Sequence, residues 1–195
     1  MKKLTANEDA FTGLEAAIVL IAFVVVAAVF SYVVLGAGFF TTQKSQEVVH
    51  SGVTQAASNI VVKGEVYGIS ETPGEVNKLR FDVGLAAGGV PVDVSRSTLV
   101  LSTTQNVSTL KYVPNQLGNL SPEAGDWIIF QRSYGASDDT LLQSDESFTL
   151  LVVPPGNIPL YNRTTFNLEI KPELGASLGI QRTVPAGVTN VTLLY

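Results

Sequence analysis

LEAAIVLIAFVVVAAVFSYVVLGAGFF, residues Leu14–Phe40, is 27 residues long and carries one charge, Glu15. As a helix it would extend about 40 Å at 1.5 Å per residue. A bilayer core needs only about 20 such residues, so the segment is long enough to cross one. A secretory signal has an apolar region of only about 7–15 residues before its cut, and this run exceeds that. Two readings remain: a transmembrane anchor, or a helix that sits first in lipid and later in a protein core. Ala16, Ala17, Ala22, Ala27, Ala28, Gly36, Ala37 and Gly38 are scattered among Val, Ile, Leu and Phe. Small residues let helix backbones approach closely, which favours the second reading. A helix that is apolar on all sides must be buried on all sides. In water, a bundle of its own copies would do that. The aromatics Phe11, Phe23, Phe30, Tyr32, Phe39 and Phe40 read as ordinary packing residues.

The periodicity runs past Phe40. Val49, Val53, Ala56 or Ala57, and Ile60 keep helical spacing, with Lys44, Gln46, Glu47 and Gln55 between them. One helix is therefore expected over residues 11–63, apolar first and amphipathic second. Gly52 is its weak point, costing about 1 kcal/mol relative to alanine, and Lys63-Gly64 reads as its stop. Ahead of it, residues 1–10 (MKKLTANEDA) are polar, with Lys2 and Lys3 at the start.

Residues 64–195 carry β signals instead. Candidate strands are Gly64–Ile69, Lys78–Leu85, Ser97–Ser102, Ser108–Val113, Asp126–Gln131, Ser147–Val153, Thr164–Ile170, Ser177–Val184 and Val188–Leu194. Turn residues such as Pro73-Gly74, Gly88-Gly89 and Pro154-Pro155-Gly156 separate them. Short strands at this density predict an antiparallel, Ig-like β-sandwich. The fold class is thus α+β, a long N-terminal helix followed by a β head. No βαβ alternation suggests a nucleotide-binding α/β fold. Trp127 reads as a core anchor.

Of the 195 residues, 46% are apolar and 15% charged, and the net charge is −5. Nucleic acid is a poor partner for such a surface, since a phosphate backbone needs concentrated basic charge. With no cysteine, disulfides and thiolate chemistry are excluded. The single histidine, His50, reads as a solvated or subunit-contacting helix residue rather than part of a catalytic triad. Walker and HExxH patterns are absent, and no catalytic residue is expected. No cofactor or resident metal is expected either. The Asp138–Glu146 loop, with Asp138, Asp139, Asp145 and Glu146, is the densest acidic region. Calcium takes oxygens from such loops, but EF-hand spacing is missing, and the loop reads as solvated with a bound cation as the rival reading. Asn106, Asn119, Asn162 and Asn190 each open an N-x-S/T sequon, the acceptor pattern for N-glycosylation on an exported surface. All four lie in the head. Pro122 after Ser121 weakens the sequon at Asn119.

Phe11–Phe30, FTGLEAAIVLIAFVVVAAVF, resembles the N-terminal helix of archaeal flagellins (archaellins) and, more distantly, of type IV pilins. The resemblance implies a polar leader over residues 1–10, cut by a dedicated membrane peptidase between Ala10 and Phe11. Gly13 would become the third mature residue, as in archaellins, and Glu15 the fifth, as in pilins. Leaders of archaellins usually end in a basic residue and glycine, whereas this one ends Asn7-Glu8-Asp9-Ala10. At the other end, LEIKP, GA-x-L, QRTVPAG and the final Leu-Tyr within Phe166–Tyr195 resemble archaellin closing strands. Together the two ends imply a structural subunit of a swimming filament outside the cell. It would polymerise through the helix after a membrane-inserted precursor stage. Its partners would be its own copies, the leader peptidase and the membrane assembly machinery, with Gly13 and Glu15 serving assembly. The rival readings are an adhesive pilin-like subunit and a membrane-anchored extracellular binding domain.

Overall fold

The computed structural model describes residues 8–133 and 135–195, with side chains from Gly13 onward. The expected leader's first seven residues, with Lys2 and Lys3, lie outside the described residues. A single helix, α1, spans Glu8–Ala57. The chain separates into two units, one through Ser51 and the other from Gly52 to Tyr195. The second unit begins at Gly52, a residue type with poor helix propensity.

The expected helix end at Lys63 is corrected to Ala57. Ile60, Val61 and Val62 keep an apolar pattern, but three consecutive β-branched residues suit a pleated strand better than a helix. They pair with Leu85, Gly84 and Val83. The stop comes from Ser58 and Asn59. Ser58 donates both its N–H (3.0 Å) and its Oγ (2.7 Å) to Thr54 O, and Asn59 Nδ2 donates to Ala56 O (3.0 Å), a carbonyl that the terminus leaves free. Gly64, at φ +92°, instead turns the chain between two strands.

The head contains β1 (Ile60–Val62), β2 (Val66–Ile69), β3 (Glu75–Val76), β4 (Lys78–Leu85), β5 (Val92–Asp93), β6 (Thr98–Thr103) and β7 (Val107–Tyr112). It continues with β8 (Asp126–Arg132), β9 (Leu141–Leu142), β10 (Ser147–Val152), β11 (Leu160–Tyr161), β12 (Thr165–Lys171), β13 (Leu178–Thr183) and β14 (Val191–Leu194). The main sheet runs β13-β12-β6-β7-β8-β10-β4-β2-β14, with β1 also on β4. β1 and β2 lie end to end along one side of β4.

Pairing is antiparallel except between β7 and β8, where Lys111 and Tyr112 pair in parallel with Asp126 and Trp127. Parallel neighbours need a long connection, and residues 113–125 supply it. At the far ends of the path, Thr183 N–H donates to Tyr195 O (2.9 Å). The sheet therefore folds over on itself. Leu99, Leu101, Leu168 and Ile170 from one half share a single core with Phe81, Val83, Phe148 and Leu150 from the other. Trp127 is fully buried there, its ring 4.6 Å from that of Tyr112.

The GA-x-L segment at Gly175–Leu178 meets the helix exit. Asn59 bridges Ala176, and Ala176 N–H donates to Asn59 Oδ1 (3.4 Å). Gly175 sits at φ +109°, and a Cβ there would fall 1.6 Å from Ser58 O. Only glycine fits that approach.

Candidate assembly surface

α1 is apolar over Leu14–Phe40. The large hydrophobic side chains between Leu14 and Phe40 are 53 to 81% exposed. Its small residues are not confined to one stripe. At 100° per residue, Ala16 and Ala22 lie about 240° apart around the axis. Sites of close backbone approach therefore occur on more than one side, the arrangement a helix needs when it packs against several neighbours at once. The hydroxyls of Thr41 and Thr42 donate to Ala37 O (2.8 Å) and Gly38 O (2.9 Å). Neither needs water to be satisfied. Polar character begins in earnest with Lys44, which pairs with Glu47 at 2.7 Å; both are exposed, so the pair contributes little.

Gly13 has open space around it, and Glu15 is exposed. Two residues apart, they lie about 200° apart around the helix axis. The backbone of Ala10 and Phe11 lies within α1, which starts at Glu8; their side chains are outside the description.

The structure separates the four sequons. Asn106 Nδ2 donates to Asn157 O (2.8 Å) and ties two loops together. Asn119 is half-buried; its Oδ1 accepts from Ser121 N–H (2.9 Å) and its Nδ2 donates to Gln116 Oε1. Asn162 and Asn190 are exposed, with no side-chain hydrogen bond among the described residues. Pro122 had already marked Asn119 as the weaker sequon, whereas the partner of Asn106 lies 51 positions away and left no sign in the sequence.

The acidic loop divides its carboxylates. Glu146, 8% exposed, accepts Ser137 N–H (2.8 Å) and Gln143 N–H (3.0 Å). It is a loop organiser, buried because backbone donors satisfy it. Asp138 pairs with Arg132 and Asp139 accepts Leu141 N–H (3.1 Å). Among the described residues, no three carboxylate or imidazole groups gather as a metal site would need. Nearby, burial opposes ionisation of Asp93, but hydrogen bonds from Ser95 and Thr140, with Arg96 alongside, outweigh it and hold the carboxyl below its ordinary range. Asp93 also caps the short 3-10 turn Val94–Arg96. Sequence reasoning missed this residue; its one signal was an Asp two residues before a serine, a common Asx-turn pattern.

A long helix exposing apolar residues on all sides, joined to a β head with its own core, suits a polymerising subunit and a membrane-anchored domain alike. A family model described as archaeal-type flagellin matches residues 10–182. The chain belongs to the archaeal-type flagellins. Probable flagellin 1 of Archaeoglobus fulgidus is 38% identical over 196 residues, covering 96% of this chain and 96% of that one. Probable flagellin 1 of Aeropyrum pernix is 31% identical over 190 residues, covering 90% and 92%. The solved archaeal flagellum of Methanospirillum hungatei matches with 37% identity and a TM-score of 0.72, over 94% of this chain and 99% of that one. This flagellin is accordingly a filament subunit of an archaeal flagellum and not an enzyme. Neither the adhesive-pilin reading nor the anchored binding domain is favoured by these likenesses.

Proposed function

We propose that the flagellin polymerises through α1, with Leu14–Phe40 as the core of an extracellular swimming filament. The observation that carries this reading is the exposure of that segment on every side in the single chain. The same segment is long and apolar enough to cross a membrane, which supports a membrane-inserted precursor. Lipid and a helical bundle are both apolar, so transfer between them costs little burial free energy. Packing of Ala and Gly against Val, Leu and Phe then sets the geometry. A contact whose rotation does not close produces a helical polymer.

In this reading a leader peptidase of the membrane assembly machinery cuts between Ala10 and Phe11. Lys2 and Lys3 stay on the cytoplasmic side, as the positive-inside rule favours. Glu15, the one charge in the core segment, pairs with the new amine of a neighbouring Phe11. An unpaired carboxylate there would cost several kcal/mol. Gly13, without a side chain, gives that neighbour room. N-terminal sequencing of sheared filaments tests the scheme. Phe11 as first residue agrees with it, and Met1 contradicts it. Glu15→Gln is expected to lower filament yield with the head fold intact.

N-glycans on the head are part of the same proposal. Exposure supports Asn162 and Asn190 as the first acceptors, then Asn106 once its bond to Asn157 opens, with Asn119 last. Glycopeptide mass spectrometry should find occupancy in that order; a glycan on Asn119 alone would reverse it.

A further inference from the structure

A cleft of about 290 Å³ opens beside β3. Glu71, Glu75, Asn77 and Lys78 line it, together with a proline-rich wall that includes Pro154 and Pro155. Lys78 is 7% exposed, yet among the described residues its ammonium meets a single acceptor, the Glu71 carboxylate. An ammonium carries three donors, so two are left for whatever fills the cleft. Asn77 Oδ1 accepts the N–H groups of Glu71 (2.6 Å) and Thr72 (3.1 Å). That fixes the amide and leaves its Nδ2 without a partner among the described residues. The prolines add apolar surface and no N–H. Ile158 N–H donates to Pro155 O (2.8 Å), which closes that wall into a turn.

The charges select the ligand. Glu71 and Glu75 together repel an anion, and the Lys78 ammonium repels a metal ion or a basic side chain. A neutral molecule rich in hydroxyls suits both. Each hydroxyl can donate to a carboxylate and accept from Lys78 Nζ or Asn77 Nδ2. The volume is close to the lower limit of ligand pockets, about 300 Å³, which suits a sugar ring. One sequon lies at the edge of this cleft. β11 pairs with β3, Tyr161 opposite Glu75, and Asn162 N–H donates to Gly74 O (3.3 Å). Asn162 Nδ2 is the atom through which a glycan is linked. It stands 3.8 Å from where a Cβ on Gly74 would lie, and Gly74 directly precedes Glu75 of the cleft. Resting on the glycan reading above, we infer that the cleft is a sugar-binding site that holds a ring of the glycan on Asn162, folded back against the head. A free sugar from solution offers the same hydroxyl chemistry, and the test separates the two sources.

Hydrogen–deuterium exchange of intact filaments reads the contact, with occupancy at Asn162 established first by glycopeptide mass spectrometry. Two variants remove the sequon, Asn162→Gln and Thr164→Ala. Asn162 is exposed and makes no side-chain hydrogen bond among the described residues, so its loss leaves the fold intact. Either variant should speed exchange of the amides in residues 75–78 and 156–160 by about tenfold, whereas Asn190→Gln should leave them as they are. Glu75→Ala deletes a cleft carboxylate with the glycan still attached. It should shrink the difference between glycosylated and sequon-less chains. Equal exchange with and without the glycan would overturn the linked glycan as the occupant. If glucose, mannose and N-acetylglucosamine added to Asn162→Gln then also slow nothing, the sugar site itself falls; the glycan reading stands in both cases. An Asn162 that carries no glycan would bring down the inference and the glycan reading at that site together.

Discussion

The helix and the head bury their apolar residues in opposite ways. The head places Trp127, Phe81, Phe148 and Phe166 at 0 to 1% exposure within its own unit. In α1, Phe23, Phe30, Phe39 and Phe40 remain 65 to 74% exposed. Similar side chains thus meet two fates in one chain. Full burial of such a side chain contributes about 1.5–3 kcal/mol; the head gains this when it folds, and the helix only when it has left water. Folding and assembly are therefore separable properties of this flagellin, and mutations should sort accordingly.

The largest effect should fall on assembly alone. Val25→Asp puts an unpaired carboxylate into the helix bundle at a cost of several kcal/mol per subunit. Sheared filaments should disappear while the head's thermal unfolding stays where it was. A filament yield near wild type would mean that the helix is not packed against copies at Val25. Next comes Trp127→Ala, which should destabilise the head by about 3–5 kcal/mol, seen as a lower melting temperature by circular dichroism. Gly175→Ala should cost about 2 kcal/mol or more, since its Cβ would overlap Ser58 O at a backbone angle alanine resists. It tests the close approach of Gly175 to Ser58, and a neutral result would show that this approach is loosely held.

Asp93→Ala should cost about 1 kcal/mol through the lost cap. The depressed carboxyl also fixes a pH dependence. Its contribution is complete above the ordinary value of 3.8 and disappears as pH falls through the lower folded value. Wild-type head should lose stability on acidification in that range, and Asp93→Ala should show a smaller loss. Identical acid profiles would remove Asp93 from the account.

The same contrast explains what was legible in the sequence. The helix announced itself because 27 residues without a turn signal leave few alternatives, and the nine longer strands because β-branched runs alternate with Gly and Pro. The helix end was misjudged because Ile60 fits a helical period and a pleated one equally, and pairing with Leu85 decided between them. The two-residue strands at Glu75, Val92, Leu141 and Leu160 are too short for any period; they exist because distant partners bring them together. The parallel step between β7 and β8 is likewise a property of the loop's path. Sequons are local patterns and were all found, but the bond from Asn106 to Asn157 spans 51 positions and could not be. The Asp138–Glu146 loop read as solvated, with a bound cation as the rival reading, but Glu146 is buried and backbone donors claim both its oxygens.

The central claim is that α1 is buried only by copies of itself. A helical reconstruction of the intact filament tests it most directly. Side chains of Leu14–Phe40 should be buried on all faces against several neighbouring α1 helices, with the heads outside. A filament held together by head contacts, with that segment bare to solvent or absent from the core, would contradict the account.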